Sequence, residues 1–374
     1  MAGFRKRGKK WEYSIRYKDL DGTPLRKTEG GFNLKSEAVQ AAAEMEMKLK
    51  KGLILNPDIT FLDYYDRWVE AYKAGKHDET TEKKYKTYHN KIEKYFGVTV
   101  KLRQISRSDW QKFINNQGET RARTTISAVN SHIRAMARSA VRDRIIDFNF
   151  TEDIELCGKE SKPESLKYLE ADDFRKLKKY VFENSSVDDI VCGMIATSIM
   201  TGARLSEVLG LTWKDIDFKN RTIDINKSWD HKYTKKFKKT KTPSSNRVID
   251  VDSELLSMLE KLKKEQEEYF ESIGYASLNN QIFLDKKLEP PTGKVTNAEL
   301  RKIQKKLKIS PEITFHGLRH THASFLILKG IDINYISHRL GHANVSITMT
   351  VYSHLLKEHE KKEAKRTILA LEAL

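Results

Sequence analysis

The sequence predicts an α+β protein built from several domains, and three patterns support this prediction. Residues 11–17 alternate between aromatic or aliphatic and polar side chains, which is the period of a half-buried strand. Residues 58–157 place apolar side chains three to four positions apart, as helices sharing a core do. Beyond residue 165, two strand patterns, at 221–225 and 247–251, lie among further helical patterns. We expect a small β-sheet plus a helix at 1–55, an all-α helical domain at 58–157 and a mixed α+β domain at 166–374.

Length and composition exclude several classes of protein. The chain has 374 residues, of which 39% are hydrophobic and 32% charged, so it is neither a low-complexity disordered chain nor a membrane protein by composition. No apolar run reaches the ~18 residues that a membrane span needs. The basic N-terminus is followed by no apolar segment, so we expect no secretory signal. Cys157 and Cys192 are the only cysteines, which excludes a disulfide framework or thiolate metal cluster and predicts a reduced, cytoplasmic protein.

The net charge indicates an anionic partner. Lys and Arg number 69 against 52 Asp and Glu, which gives a formal charge of +17. Nucleic acid is the first candidate, because each neutralised phosphate releases counterions. An anionic membrane surface is the second, but it would require basic amphipathic helices with exposed Trp or Phe. Charge alone does not decide between them.

The first domain is predicted to hold a three-stranded sheet and one helix. Asp21-Gly22 predicts a turn, residues 25–28 a return strand, and Gly30-Gly31 the end of that strand. Ser36 is expected to cap a helix that runs to about Lys51. Its buried face is predicted to carry Val39, Ala42, Met45 and Leu49. The basic run at the start of the domain is either a solvated tail or a DNA-contacting arm; it consists of Arg5, Lys6, Arg7, Lys9 and Lys10.

The second domain is predicted to be a bundle of four helices between two linkers, 52–57 and 158–165. Gly97 is expected to end the second helix, Ser108 to cap the third, and residues 124–144 to form the fourth. Arginines crowd this last helix and its lead-in with few acidic residues between them. A solvated face would usually intersperse Glu, so we favour DNA contact. The arginines are Arg121, Arg123, Arg134, Arg138, Arg142 and Arg144.

Four segments of the third domain carry candidate chemistry. In T-G-A-R-L-S-E-V-L-G-L, Arg204 and Glu207 form an R-x-x-E pair, which alone is equally an ordinary salt bridge. A lysine-rich segment between the two strand patterns is predicted to be a hairpin tip that enters the DNA minor groove. It contains Lys238, Lys239 and Lys241.

The remaining two segments contain histidines and a late tyrosine. In H-G-L-R-H-T-H, His316 and Arg319 can share one helix face, whereas His316 and His320 have the spacing of a zinc helix. The position where an H-E-x-x-H motif has its general base is Gly317, which speaks against zinc. His342 follows in L-G-H, and Tyr352 in T-V-Y-S-H-L.

Together these segments resemble the tyrosine recombinase (phage integrase) family in content, order and spacing. The resemblance covers roughly residues 166–360. The two preceding domains resemble the family's arm-binding and core-binding domains only in architecture.

The resemblance implies a role for each matched residue. Tyr352 is the nucleophile that forms a 3′-phosphotyrosyl bond, and Arg204 and Arg319 clamp the phosphate. Lys241 protonates the leaving 5′-oxygen; it is preferred to Lys239 because it stands six residues before Arg247. His316 and His342 assist proton transfer and phosphate positioning, and Glu207 supports its neighbours.

The resemblance also implies partners and excludes cofactors. The partners are double-stranded DNA with core-type and arm-type sites, further copies forming a tetramer on DNA, and an accessory DNA-bending protein or excision directionality factor. Neither a metal nor ATP is required, because the arginines replace metal ions and the tyrosyl ester stores the bond energy. The expected location is the nucleoid of a bacterial host. The alternatives are a type IB topoisomerase, a non-catalytic DNA-binding regulator and a zinc hydrolase. Within the family, a phage or mobile-element integrase is favoured over a Xer-like resolvase, which resembles only the last two domains.

Overall fold

The structure is a computed structural model that describes residues 2–18, 24–50, 58–76, 78–160, 168–240, 242–276 and 279–353. The chain divides into two compact units, 1–161 and 162–374. Several predicted features lie outside the described residues. They are the turn at Asp21-Gly22, the linker at 52–57, most of the linker at 158–165, Lys241 and the chain after residue 353.

The N-terminal part of the first unit is a three-stranded antiparallel sheet with one helix. The strands are β1 (Gly3–Arg7), β2 (Lys10–Lys18) and β3 (Pro24–Phe32), and they lie in that order. Helix α1 (Lys35–Lys50) packs on one face. The buried core between them consists of Tyr13, Ile15, Ala42 and Met45.

Three details of this part differ from the prediction. Strand β3 does not end at Gly30-Gly31, because Glu12 pairs with Gly30 and Trp11 with Phe32, which leaves Gly31 as the extra residue of a bulge with φ of 106°. Helix α1 begins before Ser36. The carboxylate of Glu37 accepts the backbone N–H groups of Asn33 and Leu34 instead. Val39 is exposed, and Ala38 takes its place in the core.

Four helices complete the described part of the first unit, and their apolar faces form one core. Trp110 is fully buried and packs with Phe61, Phe113 and Phe150. The helices are α2 (Phe61–Tyr72), α3 (Glu79–Phe96), α4 (Arg107–Gly118) and α5 (Arg123–Arg142).

Gly97 ends α3, as predicted, but the cap of α4 is Ser106 and not Ser108. The hydroxyl of Ser106 accepts the N–H of Asp109, whose carboxylate in turn accepts the Ser106 N–H. This reciprocal pair satisfies two helix-end donors, whereas Ser108 lies inside the helix.

The second unit is a mixed α+β domain organised around the buried helix α7. This helix contacts α6, α8, α9, α10 and α11. It begins at Ile190, and the N–H of the preceding Val187 bonds to the Glu265 carboxylate. The helices are α6 (Ala171–Glu183), α7 (Ile190–Thr201), α8 (Leu205–Leu209), α9 (Ser253–Ser272), α10 (Gly293–Lys306), α11 (Phe315–Leu328), α12 (Ile333–Leu340) and α13 (Val345–Val351).

The strands of the second unit correct the predicted hairpin. The two predicted strands, β5 (Thr222–Ile225) and β8 (Arg247–Asp250), pair with each other, and β4 (Ile216–Asp217) lies beside β5. Between them, β6 (Lys227–Trp229) and β7 (Phe237–Lys239) form a separate hairpin. Lys238 and Lys239 therefore belong to a strand, and the hairpin tip is formed by residues 230–236.

The predicted α+β class and its three kinds of substructure are confirmed. Within the described ranges, no helix is long and apolar enough to cross a membrane.

Candidate active site

One cavity of the second unit gathers most of the predicted reaction residues. Its volume is about 430 Å³. It is lined by six of the seven residues to which the resemblance gives a role, namely Arg204, Glu207, His316, Arg319, His342 and Tyr352. The seventh, Lys241, lies outside the described residues, but its neighbours Thr240 and Thr242 both line the cavity.

Arg204 is held at the cavity by the start of helix α8. Its backbone N–H donates to Glu207 Oε2 at 2.9 Å, and its Nη1 donates to Glu207 Oε1 at 2.6 Å. Gly202 makes this placement possible, because it ends α7 with φ of 70° and a Cβ there would lie 2.6 Å from Leu340. The R-x-x-E pair is thus an ion pair that also caps a helix and sets the direction of a guanidinium.

Arg319 is almost wholly buried at the cavity wall, on the first turns of α11. Its Nη1 donates to the carbonyl of Gly202 at 2.9 Å. Its Nη2 is buried and has no hydrogen-bond partner among the described residues. Burial and, after it, the positive charge of Arg204 lower the pKa of Arg319 to about 9. An anion placed between the two arginines would supply the missing partner and the missing negative charge.

His320 contacts the predicted nucleophile, Tyr352. The Nδ1 atom of His320 lies 3.0 Å from the Tyr352 hydroxyl oxygen. The ring of Tyr352 packs in a small apolar cluster with Tyr168, Ile336 and Leu340, and only 2% of the residue is exposed. The hydroxyl is therefore presented to the cavity from a fixed ring.

Two further histidines, His316 and His342, line the cavity. The Nδ1 atom of His342 lies 2.7 Å from the buried Thr348 hydroxyl. Burial and the neighbouring arginines, Arg319 first, lower the pKa of His342 to about 3. Burial and Arg319 also lower the pKa of His316, which forms an edge-to-face ring contact with His320. Among the described residues, no group of three or more His, Cys, Asp or Glu side chains could hold a metal ion.

The predicted DNA-contacting lysines of the second unit differ in their surroundings. Lys238 forms an ion pair of 2.7 Å with Asp230 across the hairpin. Lys239, at the end of β7, is exposed.

The predicted basic arm of the first unit is part of the sheet. Arg5 and Arg7 extend from β1 on the face opposite α1, because their partners Glu12 and Lys10 alternate with the buried Tyr13. Lys6 pairs with Trp11 and lies on the other face, and Lys9 lies in the turn before β2. The register adds two arginines that sequence inspection missed. Arg16 and Arg26 are exposed and stand directly opposite each other on β2 and β3.

The predicted arginines of the helical domain are not equivalent. Arg123 and Arg138 are exposed on α5, as are Arg142 and Arg144 at its end. Arg121 is half-buried and donates to Gln117. Arg134 is also half-buried, and its Nη2 donates to the carbonyl of Thr151 at 2.9 Å. The contact between Arg134 and Thr151 therefore anchors a loop of the protein itself.

Two side chains at the cavity, His320 and Arg247, have no predicted role in the reaction from the sequence. From the sequence, His320 is predicted only as a possible zinc ligand, although it lies one helical turn after His316 and lines the cavity. Arg247 served only to mark a spacing, yet its side chain is fully buried. The signal for Arg247 was its place in a period-2 strand pattern, in which it shares the inward face with Ile249 and Val251.

Comparison with known proteins identifies the family. The sequence matches the phage integrase family over residues 167–359, an arm DNA-binding domain over 4–49 and the N-terminal SAM-like domain of phage integrases over 60–116. The chain belongs to the phage integrase family. It is accordingly a tyrosine-type site-specific DNA recombinase, as the sequence predicted.

Curated members of the family match this recombinase along most of its length. The integrase of Staphylococcus phage L54a is 26% identical over 331 residues, which cover 81% of this chain and 91% of that protein. A XerC-like tyrosine recombinase of Caldanaerobacter subterraneus is 26% identical over 372 residues, covering 94% and 93% of the two chains.

Solved structures share the fold. The Tn1549 transposon integrase in complex with transposon right end DNA has a TM-score of 0.70 at 20% identity, and the match covers 82% of this chain and 99% of that one. The lambda integrase dimer bound to a COC′ core site has a TM-score of 0.60 at 17% identity, with 93% of both chains covered.

Proposed function

We propose that Tyr352 cuts DNA by attacking a phosphodiester held between Arg204 and Arg319. The observation that carries this proposal is the convergence of the three side chains on one cavity, where Arg319 has a buried and unpartnered N–H group. Two guanidinium groups are suited to the two non-bridging oxygens of a phosphate and to the charge that develops on them in the transition state.

The proposed first step moves two protons and exchanges one bond. The Tyr352 hydroxyl gives its proton to His320 Nδ1, which lies 3.0 Å away, as its oxygen attacks phosphorus. A bond from phosphorus to the tyrosine oxygen forms, and the bond to the 5′-oxygen breaks. Lys241, in the role that the resemblance gives it, donates a proton to this 5′-oxygen, which then leaves as a hydroxyl. Attack by a 5′-hydroxyl of a second strand reverses these steps and rejoins the DNA.

His316 and His342 are proposed to position the phosphate as neutral imidazoles. Their lowered pKa values favour the uncharged form at neutral pH. With Nδ1 of His342 accepting a hydrogen bond from the Thr348 hydroxyl, its Nε2–H can donate to a phosphate oxygen.

The sheet of the first unit is proposed to bind arm-type DNA through the face opposite α1. The opposed pair Arg16 and Arg26 supports this, because like charges directly across a sheet repel each other unless an anion lies between them. The exposed arginines of α5, together with Lys239, are proposed to contact the core-type site.

The larger assembly is also a proposal. A lambda integrase structure shows a tetramer bound to a Holliday junction, and its fold matches this chain with a TM-score of 0.58. We infer that four copies of this chain exchange strands through such a junction, to integrate and excise a phage or mobile element in the nucleoid of a bacterial host. An accessory DNA-bending protein or directionality factor would set the balance of the two reactions.

A recombination assay tests this function. Two attachment sites are placed on one supercoiled plasmid and incubated with wild-type protein or with Tyr352→Phe. We expect recombinant circles and a resolvable junction intermediate with wild type only. Relaxed plasmid without recombinants would indicate a topoisomerase, and binding without either product would indicate a non-catalytic regulator.

A further inference from the structure

Arg247 is a buried arginine beside the cavity for which the proposed reaction has no use. It is the first residue of β8, and its side chain has no exposed surface. It therefore cannot contact DNA. Burial on this scale is unusual for arginine and is costly unless the buried N–H groups have hydrogen-bond partners.

Two backbone carbonyls fix the Arg247 guanidinium. Its Nε donates to the carbonyl of Arg339 at 2.6 Å, at the end of α12. Its Nη1 donates to the carbonyl of Ser245 at 2.8 Å, in the segment that follows the lysines. Because the guanidinium is planar, these two contacts also set the direction of Nη2.

Nη2 of Arg247 is directed at Glu207. It donates to Glu207 Oε2 at 3.0 Å, while Oε1 of the same carboxylate accepts from Arg204 Nη1 at 2.6 Å. Burial alone would raise the pKa of Glu207, but the charges of Arg247 and Arg204 outweigh it and hold this pKa below its usual value. The carboxylate is therefore charged, and it is fixed between two arginines.

We propose that Arg247 is a positioning residue of the recombinase, which holds Glu207 so that the carboxylate directs Arg204 at the scissile phosphate. Arg247 itself touches neither the phosphate nor the reacting atoms. The proposal rests on the proposed function of Arg204. It predicts that the loss of Arg247 slows the chemical step through Arg204 while DNA binding is kept.

A purely structural role would predict something different. Arg247 would then only anchor β8 and α12, and its loss would lower activity no more than any substitution that destabilises this strand equally. Ile249→Ala provides that comparison, because Ile249 lies two residues further along β8 and is buried in the apolar core away from the cavity.

The test measures covalent complex formation on a nicked suicide duplex for wild type, Arg247→Met, Arg247→Lys and Ile249→Ala. Duplex affinity and Tm are measured for each protein. We expect Arg247→Met to react at least ~100-fold more slowly than wild type, the scale of a misplaced catalytic group, with affinity within about threefold. Arg247→Lys keeps the charge opposite Glu207 but loses both carbonyl contacts, and we expect an intermediate rate. This variant keeps the test decisive should Arg247→Met fold poorly.

A double-mutant cycle with Glu207→Gln separates the two explanations. If Arg247 acts through Glu207, Arg247→Met slows the Glu207→Gln protein by less than about threefold. The proposal is overturned if the two effects multiply in full, or if both Arg247 variants react as fast as Ile249→Ala. Wild-type protein must form the complex in the same experiment, so a failure of the proposed function is recognised separately.

Discussion

The Nδ1 atom of His320 lies 3.0 Å from the Tyr352 hydroxyl oxygen, and the two residues come from different helical segments of the second unit. The contact gives the hydroxyl of the proposed nucleophile a defined direction and a group that can take its proton. Whether His320 accepts that proton or only aligns the hydroxyl is open to a direct test.

His320→Asn and His320→Phe distinguish these two roles. The amide oxygen of Asn can accept a hydrogen bond near the position of Nδ1 but does not take up a proton at neutral pH. If His320 is the proton acceptor, both variants form covalent complex about 100-fold more slowly than wild type. Retention of the wild-type rate by His320→Asn alone would reduce His320 to an aligning role.

Arg319→Lys is expected to lower the rate of covalent complex formation by about 100- to 1,000-fold while the duplex is still bound. Lysine keeps the positive charge but cannot bond the Gly202 carbonyl and a phosphate oxygen in one plane. Single-turnover rates and mobility-shift affinities are measured side by side. Arg301→Lys, at an exposed position of α10, is the control. Equal rates for the two variants would exclude a phosphate clamp at Arg319.

Acid is expected to destabilise the protein below about pH 6.5. Burial and, after it, the charge of Arg339 lower the pKa of His322 to about 3, and burial likewise lowers that of His132 to about 4. Each imidazole takes up a proton more readily in the unfolded chain, so its contribution to stability is present above the unfolded pKa and is lost as pH falls towards the folded one. Each histidine therefore lowers the free energy of unfolding by up to about 1.4 kcal/mol per pH unit in that window.

The measurement is the free energy of unfolding of each unit between pH 7 and pH 4.5. In the second unit, His322→Phe should show a shallower decline than wild type, whatever its stability at pH 7. Parallel declines for the two proteins would show that His322 does not carry the dependence.

Arg26→Ala is expected to weaken arm-type DNA binding without destabilising the sheet. It removes a phosphate-binding charge and also the repulsion from Arg16 across the strands. Affinity is measured over a range of salt concentrations. The slope of log affinity against log salt concentration should become shallower by about one, as expected for the loss of one phosphate contact. The control is Arg175→Ala, at an exposed position of α6. An unchanged affinity together with a raised Tm would indicate that the pair faces no DNA.

The sequence predicted the fold class well because its signals are local. Alternation marked β2, helical periodicity marked α2 and α3, and Gly97 marked a helix end. It failed where hydrogen bonds that the residue pattern does not display decide the outcome. The carboxylate of Glu37 caps the start of α1 in place of Ser36, and the pairing of β6 with β7 places Lys238 and Lys239 on a strand.

The candidate site was predictable as far as the motifs extend. Arg204, His316, Arg319 and His342 sit in segments with recognisable spacing, and the structure brings them to one cavity with Tyr352. The groups that support them could not be found in this way. Arg247 and Thr348 act through contacts that join residues distant in the chain or separated by a turn, and no single segment displays both partners.

The most direct test of the account is whether Tyr352 becomes linked to DNA. Wild-type protein and Tyr352→Phe are incubated in EDTA with a nicked suicide duplex carrying an attachment core, and denaturing gels are examined for a protein–DNA adduct. The account predicts an adduct with wild type, none with Tyr352→Phe, and a phosphotyrosyl peptide containing Tyr352 on digestion. An adduct that persists in Tyr352→Phe, or its complete absence from wild-type protein bound to the same duplex, would contradict it.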